Sequence, residues 1–490
     1  MNAVARILEW PADTSDESAL ALWDAIAVAR AAKGVANADF LASGVEIDSR
    51  DVLPGDIFFA LKGDAMDGHR FVEAAFAKGA AAVVVDRAVE GPHLLVDDTA
   101  AALEALGRAA RVRTEATIVG VTGSVGKTGV KEAIFAALDR SSRGAAHRSV
   151  KSYNNHVGVP LSLARMPERS RFGVFEMGMN HAGEIAALTR LVRPHVAVVT
   201  TIAPAHIEML GSEEAIADAK GEIFEGLEAL DGTPGGIAVI PADSPHYERL
   251  RDKALSHGAQ VVAFGRAAHA QVRLLDTVPA ANGGSLVTAD MGDRRVCYTV
   301  AEPGDHWVMN SLAVMAAVRA AGGDLGAAGV ALGEMAGLAG RGARTEIAAE
   351  GGRALLIDES YNANPASMRA TLAQLGATRA SRRIAVLGAM KELGDFAPGF
   401  HAALAEPMAA ANLDFAILVG DEMASLVREL GKSPQGELGK AIRFAHCRNA
   451  AEARDALAQF GVENGDVILV KGSNSVGLGA LVSSLSAREG

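Results

Sequence analysis

The stretch Thr122-Gly-Ser-Val-Gly-Lys-Thr128 places a lysine and a hydroxyl directly behind a turn of small residues. Such a turn lets backbone N–H groups close on phosphate oxygens, and a helix opening there adds partial positive charge. Lys127 has the reach for β- and γ-phosphates, and the Thr128 hydroxyl suits Mg²⁺. The strict spacing G-x-x-x-x-G-K-[ST] is not met, because Val121 stands where its first glycine belongs. The loop is therefore a variant. Its alternative reading is a glycine-rich turn joining a core strand to a helix.

Other reactive groups stand at the ends of apolar runs. Glu176 closes the run Phe172–Glu176, where a carboxylate beside a phosphate loop would be a second Mg²⁺ ligand. His206 and Glu208 follow the run Val196–Ile202; a single histidine there is by itself usually a loop or satisfied core residue. Lys220 sits among Glu213, Glu214, Glu222 and Glu225, which by itself reads as a surface lysine on an acidic helical face. Asp358-Glu-Ser-Tyr-Asn-Ala-Asn-Pro365 concentrates hydrogen-bonding groups ahead of a helical pattern over Ser367–Leu375. Pro365 favours a turn there.

Three α/β units are needed to position these groups. The chain has 490 residues, 49% hydrophobic and 22% charged, with no apolar run long enough for a bilayer and no secretory signal pattern. Two cysteines, Cys297 and Cys447, cannot make a disulfide framework or a structural zinc site. A net charge of −12 without a basic block speaks against nucleic acid or an anionic membrane as partner. Residues 1–20 read as a polar N-terminal extension and residues 21–113 as a small α/β domain. Its strand patterns are Asp56–Leu61, Ala81–Asp86 and His93–Val96; its helical patterns are Arg70–Lys78 and Thr99–Arg113.

Residues 114–340 form a larger unit. Its short β-branched runs alternate with helical segments, as in a parallel sheet covered on both faces. A hairpin insert is expected over 269–300, around Asn282-Gly-Gly284, and an Ala-rich helix over Asn310–Ala321. Residues 341–490 repeat the alternation, with strands at Ala354–Ile357, Arg383–Leu387, Phe415–Val419 and Asp466–Val470 but no phosphate loop.

Taken in order, these segments resemble the Mur ligase family of ATP-dependent amide-bond-forming enzymes. The resemblance rests on Asp48-Ser-Arg50, Pro54 to Gly63, Asp67-Gly-His-Arg-Phe71, the phosphate loop, Asn154-Asn155, Glu176 to Asn180, and Ala219-Lys-Gly-Glu-Ile-Phe224. Asn310, Gly340-Arg341 and Asp358 to Pro365 extend it to the third unit. Tyr361 to Pro365 and Asn154-Asn155 resemble the branch that adds D-alanyl-D-alanine to UDP-N-acetylmuramoyl-tripeptide in the cytoplasm. The resemblance implies three domains: a UDP-substrate domain, a central P-loop ATPase domain with a parallel sheet, and a C-terminal Rossmann-like domain. It also implies a monomer.

The same resemblance implies residue roles. Thr122, Gly123, Ser124, Val125, Gly126, Lys127 and Thr128 would cradle ATP, with Asn310, Arg341 and Asp358 on the nucleotide. Thr128 and Glu176 would hold one Mg²⁺ and His206 would help hold a second. Lys220 would be carbamylated, its anionic oxygens replacing an ammonium as a hard metal ligand. Lys127, Lys220 and His206 would carry the catalysis. Ser49, Arg50 and Lys62 would bind the uridine end of the substrate, Asn154 and Asn155 would face the substrate, and Tyr361, Asn362 and Asn364 would place the dipeptide.

Three positions depart from the family pattern: Ala389 where Asp is usual, Asn474 where Arg is common, and Gly129 in place of a hydroxyl residue. Two other readings predict different behaviour. A sister ligase would add a diamino acid, but no Asp-Asn-Pro-Arg string is present. A P-loop ATPase switch would hydrolyse ATP without an amine acceptor and leaves the Tyr361–Pro365 segment without a role.

Overall fold

The computed structural model describes residues 21–63, 66–230, 232–280, 283–432 and 442–487. The expected N-terminal extension, and Asn282 of the expected hairpin turn, lie outside them. The chain divides into two compact units, one of residues up to Glu115 with His156–Ser170, the other of Ala116–Asn155 with Arg171 onward.

The first unit carries a five-stranded sheet in the order Val35–Ala36, His93–Leu95, Ala82–Val85, Asp56–Phe59, Gly44–Glu46. Its strands pair in parallel except at the Val35–Ala36 edge. Asp56–Phe59 and Ala82–Val85 are buried at every position, which is why, Asp56 apart, they are apolar without alternation. Helix Thr99–Arg113 packs on helix Gly158–Ala164. Their approach requires Gly107, since a Cβ there would lie 2.8 Å from the Pro160 carbonyl oxygen. Trp23 closes this end: its indole N–H donates to Ala164 O at 2.8 Å, under the Arg113 guanidinium.

The second unit holds two sheets. The nine-stranded sheet runs Arg295–Val300, Ser285–Asp290, Val272–Pro279, Gln260–Gly265, Ile237–Pro241, Val196–Val199, Thr117–Thr122, Phe172–Glu176, Ala146–Arg148. It is parallel apart from the antiparallel pairs made by Ser285–Asp290 with its two neighbours. Thr117–Thr122 lies between Phe172–Glu176 and Val196–Val199, so the chain crosses to either side of it and three strand ends open together. Helices Lys127–Ser142 and Asp305–Ala320 supply much of the buried core behind these strands.

The six-stranded sheet runs Ala343–Ala349, Gly352–Glu359, Val467–Lys471, Arg383–Gly388, Phe415–Val419, Arg443–Cys447, antiparallel only at the Ala343–Ala349 edge. Its register sets Lys471 beside Glu359 and Leu387 at the carboxyl ends. Helix Pro365–Ala377 starts at Pro365 itself, with Asn364 as N-cap and a reciprocal Asn364–Ser367 capping box. Pro365 therefore opens the helix, two residues earlier than the sequence pattern indicated. No described helix is long and apolar enough to cross a membrane. Cys297 and Cys447 are both free, one exposed and one buried.

Candidate functional site

The phosphate loop is fixed by its neighbours before any ligand arrives. Thr122 Oγ1 donates to Met177 O at 2.8 Å, Ser124 Oγ to Ala203 O at 2.9 Å, and Thr200 Oγ1 to Val125 O at 2.6 Å. Gly123 has φ +143°, and a Cβ on it would fall 2.0 Å from Thr200 Oγ1. Gly126 has φ +86° and lies under the Asn310 amide. Helix Lys127–Ser142 has no side-chain cap at Gly126, so its first N–H groups are free to face an anion. The Lys127 ammonium donates to Gly123 O at 2.8 Å, and burial lowers its pKa.

Glu176 is 1% exposed, at the end of its strand. One carboxylate oxygen accepts from Thr128 Oγ1 at 2.8 Å and the other from Asn154 Nδ2 at 2.7 Å. Behind it, Lys131 is completely buried, and its ammonium donates to Ser149 O at 2.8 Å and Lys151 O at 3.0 Å. Lys131 also pairs with Glu132 at 2.8 Å. This buried cation holds the segment from which Ser152 and Asn154 project.

Lys220, on helix Glu213–Gly221, has 0% exposure. Its Nζ is buried with no hydrogen-bond partner among the described residues. Burial drives the ammonium well below its ordinary value; Lys127 adds to this, and Glu176, Glu222 and Glu184 oppose it. A neutral amine in this position has the lone pair needed to react with CO₂, so the residue fits a carbamate. Among the described residues no group of three or more His, Cys, Asp or Glu gathers as a metal cluster. The Thr128–Glu176 pair fits Mg²⁺ nonetheless, because that ion takes one or two protein ligands and completes its shell with phosphates and water.

A cleft of about 280 Å³ is lined by residues of both sheets of the second unit. Gly126, Lys127, Asn154, Glu176 and His206 reach it from the central sheet, with Trp307 and Asn310 from helix Asp305–Ala320. Arg341, Tyr361, Asn362 and Asn364 reach it from the C-terminal side. The Arg341 guanidinium lies 4.2 Å from the centroid of the Tyr361 ring and donates to Ser152 Oγ at 3.1 Å. Asn364 is partly committed to its helix cap, its Oδ1 accepting from Ser367 N at 2.9 Å.

Other sequence candidates are placed elsewhere. Thr122, Gly123, Thr128, Lys220 and Asp358 do not line this cleft. The Asp358 carboxylate accepts instead from Gly340 N at 2.7 Å and from Ser360 N at 3.1 Å, fixing the turn that carries Arg341 and Tyr361. Asn155 is exposed and outside the lining. Ser49, Arg50 and Lys62 belong to the first unit, where Arg50 forks onto Asp48 and Lys62 pairs with Asp86. His69 braces this region, its Nδ1 2.6 Å from Asp67 and its Nε2 3.1 Å from Asp86.

Sequence reasoning missed Trp307, His306 and Ser152. The signal for Trp307 was Gly129, whose missing side chain leaves room for the indole. It also gave Lys471 no role: its buried ammonium lies 3.2 Å from Glu359 and donates to Asn362 O at 2.9 Å, holding the loop behind Tyr361.

The chain matches the profiles of the Mur ligase family catalytic domain over residues 42–127, the Mur ligase middle domain over 121–318, and the Mur ligase glutamate ligase domain over 343–474. It is 32% identical to the UDP-N-acetylmuramoyl-tripeptide--D-alanyl-D-alanine ligase of Bacillus subtilis (strain 168), over 90% of this chain and 93% of that one. Among solved structures, MurF of Acinetobacter baumannii superimposes with a TM-score of 0.79 at 28% identity, covering 95% of this chain and 99% of its own. MurF of Thermotoga maritima in complex with ADP superimposes with a TM-score of 0.72 at 26% identity, covering 91% and 97%.

Proposed function

The chain belongs to the Mur ligase family, and on that premise we propose that it joins the amine of D-alanyl-D-alanine to the terminal carboxylate of UDP-N-acetylmuramoyl-tripeptide, driven by ATP. It is an ATP-dependent amide-bond-forming ligase of peptidoglycan precursor synthesis, acting in the cytoplasm as a monomer. The observation that carries the reading is the single cleft in which Gly126 and Lys127 meet Tyr361 and Asn362. Near full-length likeness to ligases of that name supports the same substrates.

Residues 21–113 would take the UDP end of the substrate through Ser49, Arg50 and Lys62, residues 114–340 would bind ATP, and residues 341–490 would bring the dipeptide. The tripeptide carboxylate attacks the γ-phosphate, giving an acyl phosphate and ADP. The dipeptide amine then attacks the acyl carbon, and inorganic phosphate leaves with the C–O bond electrons. The obstacle in the first step is charge, since an anionic nucleophile meets an anionic triphosphate. Lys127 and the open helix N-terminus behind it answer that charge.

Thr128 and Glu176 would hold one Mg²⁺, and His206 with a carbamylated Lys220 a second. Bound there, Mg²⁺ supplies Lewis-acid neutralisation of the phosphates. Asn154 keeps the Glu176 carboxylate facing Thr128. Arg341 and Asn310 would flank the nucleotide, while Asp358 shapes the turn that carries Arg341. Tyr361, Asn362 and Asn364 would seat the dipeptide, with Asn155 further along the substrate.

Phosphate release from ATP and Mg²⁺ with the UDP-tripeptide is the test, run with and without D-alanyl-D-alanine and with product mass. Release that requires both, with a product heavier by the dipeptide, is expected. Release without any amine would favour an ATPase switch, and release when a single diamino acid replaces the dipeptide, with a product heavier by that residue, would favour the sister ligase.

A further inference from the structure

The loop that follows strand Arg383–Gly388 leaves the C-terminal sheet and touches the central one beside His206. Glu392 Oε2 lies 2.6 Å from His206 Nδ1. The pair stands at hydrogen-bond distance, although the ring N–H is not aligned on the carboxylate oxygen. Two backbone contacts seat the loop at the same place. Glu208 N donates to Glu392 O at 3.2 Å, and Gly394 packs so closely that a Cβ on it would lie 2.9 Å from Glu208 Cγ.

The loop is also held from behind. Met390 N donates to His401 Nε2 at 2.9 Å, Lys391 N donates to Ser473 Oγ at 3.0 Å, and the Lys391 ammonium pairs with Glu422. Glu392 thus projects from a fixed mount. Both members of the pair have left-handed backbone, His206 at φ +60° and Glu392 at φ +63°. That region is unfavourable for any residue with a Cβ, and glutamate is not among the types that tolerate it best. Two such residues meeting across a sheet-to-sheet contact mark a geometry that the surrounding structure imposes.

We propose that Glu392 is a positioning residue for His206. Its carboxylate holds Nδ1 as the protonated nitrogen turned toward the C-terminal loop, which leaves Nε2 as the ligating nitrogen for a divalent cation in the cleft that the ring lines. The central sheet alone would then present an unoriented imidazole. The cation site is completed only when the loop from the C-terminal sheet is seated. This inference rests on the reading of His206 as a cation ligand, and the experiment separates the two.

Mn²⁺ serves as the probe, with the full chain and a non-hydrolysable ATP analogue, followed by electron paramagnetic resonance. Nitrogen-15 spectra of the His206 ring report its tautomer. Glu392→Ala is expected to weaken Mn²⁺ binding by about ten- to hundredfold and to mix the two His206 tautomers. Glu392→Gln keeps an acceptor oxygen and is expected to keep the Nδ1–H tautomer. His206→Ala should weaken Mn²⁺ at least as much as Glu392→Ala. Unchanged Mn²⁺ binding or an unchanged tautomer in Glu392→Ala, with His206→Ala impaired, overturns the positioning role and leaves the cation reading standing. Unchanged Mn²⁺ binding in His206→Ala overturns both.

Discussion

Trp307 occupies the space that a side chain at position 129 would need. A Cβ on Gly129 would lie 2.6 Å from Trp307 Cη2 and 3.0 Å from Cζ2. The departure from a hydroxyl residue after the Lys-Thr pair is therefore compensated, since a large ring on one helix is matched by a missing side chain on the next. Helix propensity alone says that Gly129→Ala should stabilise the protein by about 1 kcal/mol. Overpacking says that it should destabilise by about 1–3 kcal/mol, because both atoms met are part of a rigid indole. We expect the steric effect to win, with weaker ATP binding, and Gly129→Ala with Trp307→Leu to recover part of the loss. Urea unfolding of the two singles and the double mutant decides; additive effects would mean that the two positions do not compete for space.

Glu302 gives a pH dependence. It is 7% exposed, and burial pushes its carboxyl up to about 7, with Glu359 adding in the same direction and Arg344 opposing. Gly342 lies against both carboxylates, its hypothetical Cβ 3.5 Å from Glu302 Oε2 and 3.6 Å from Glu359 Oε1. Between the ordinary value of 4.5 and about 7 the folded protein holds a proton that the unfolded chain releases. Stability therefore declines through that window as pH rises, and the full penalty is present above it. Glu302→Gln should stabilise by about 1–3 kcal/mol at pH ~8 and leave stability near wild type at pH ~4. Denaturant midpoints at the two pH values check the sign; equal gains at both would remove the titration argument.

The parts of the fold that were legible in the sequence are those buried on both faces or periodic over several turns. Phe172–Glu176, Phe415–Val419 and helix Thr99–Arg113 have the ends that the sequence pattern indicates. Ala146–Arg148 and Arg443–Cys447 were not legible, because edge strands of three and five residues carrying His and Arg lack an apolar signature. The run Val196–Ile202 overstates its strand, which stops at Val199, where Thr200 turns away to bond the phosphate loop. Helix Gly158–Ala164 is buried throughout because it packs in the first unit, although its sequence neighbours belong to the second. For the site, the phosphate loop and Glu176 could be read locally. Lys131 and Lys220 could not, because neither the Glu132 beside the first nor the acidic run around the second tells a buried lysine from a solvated one. Glu392 is remote in sequence from His206, and only the packing of two sheets brings them together.

Lys131 tests whether the ligand-facing segment depends on a buried cation. Lys131→Met preserves most of the side-chain volume but removes the hydrogen bonds to the carbonyl oxygens of Ser149 and Lys151 and the ion pair with Glu132, which Arg148 also holds. Removing one partner of a buried charged network costs about 3–5 kcal/mol. The loss should be local as well as global, with faster amide exchange over residues 149–155 and a higher KM for ATP. Wild-type exchange in that segment would show that the strand pairing of Ala146–Arg148 suffices to hold it.

Lys220 offers the sharpest choice between a structural and a chemical role. Its unpartnered amine is a cost to the fold in the unmodified state, so Lys220→Met should raise stability by about 1–3 kcal/mol. The unfolded amine takes up a proton that the folded one excludes, so wild-type stability rises with pH from the lowered value toward 10.5. Lys220→Met should flatten that rise. If the lysine were only a buried packing group, the same variant would keep its activity. If the residue is carbamylated, the amine adds to CO₂, releases a proton and becomes an anion that no methionine can replace. We therefore expect a variant more stable than wild type kept free of CO₂ and at least about a hundredfold slower than the carbamylated enzyme, as the loss of a metal ligand requires. Carbon-13 spectra with labelled bicarbonate should give a carbamate carbon signal in the wild type that disappears in Lys220→Met. Retained activity, or no signal in active wild-type protein, would return Lys220 to the role of a buried amine.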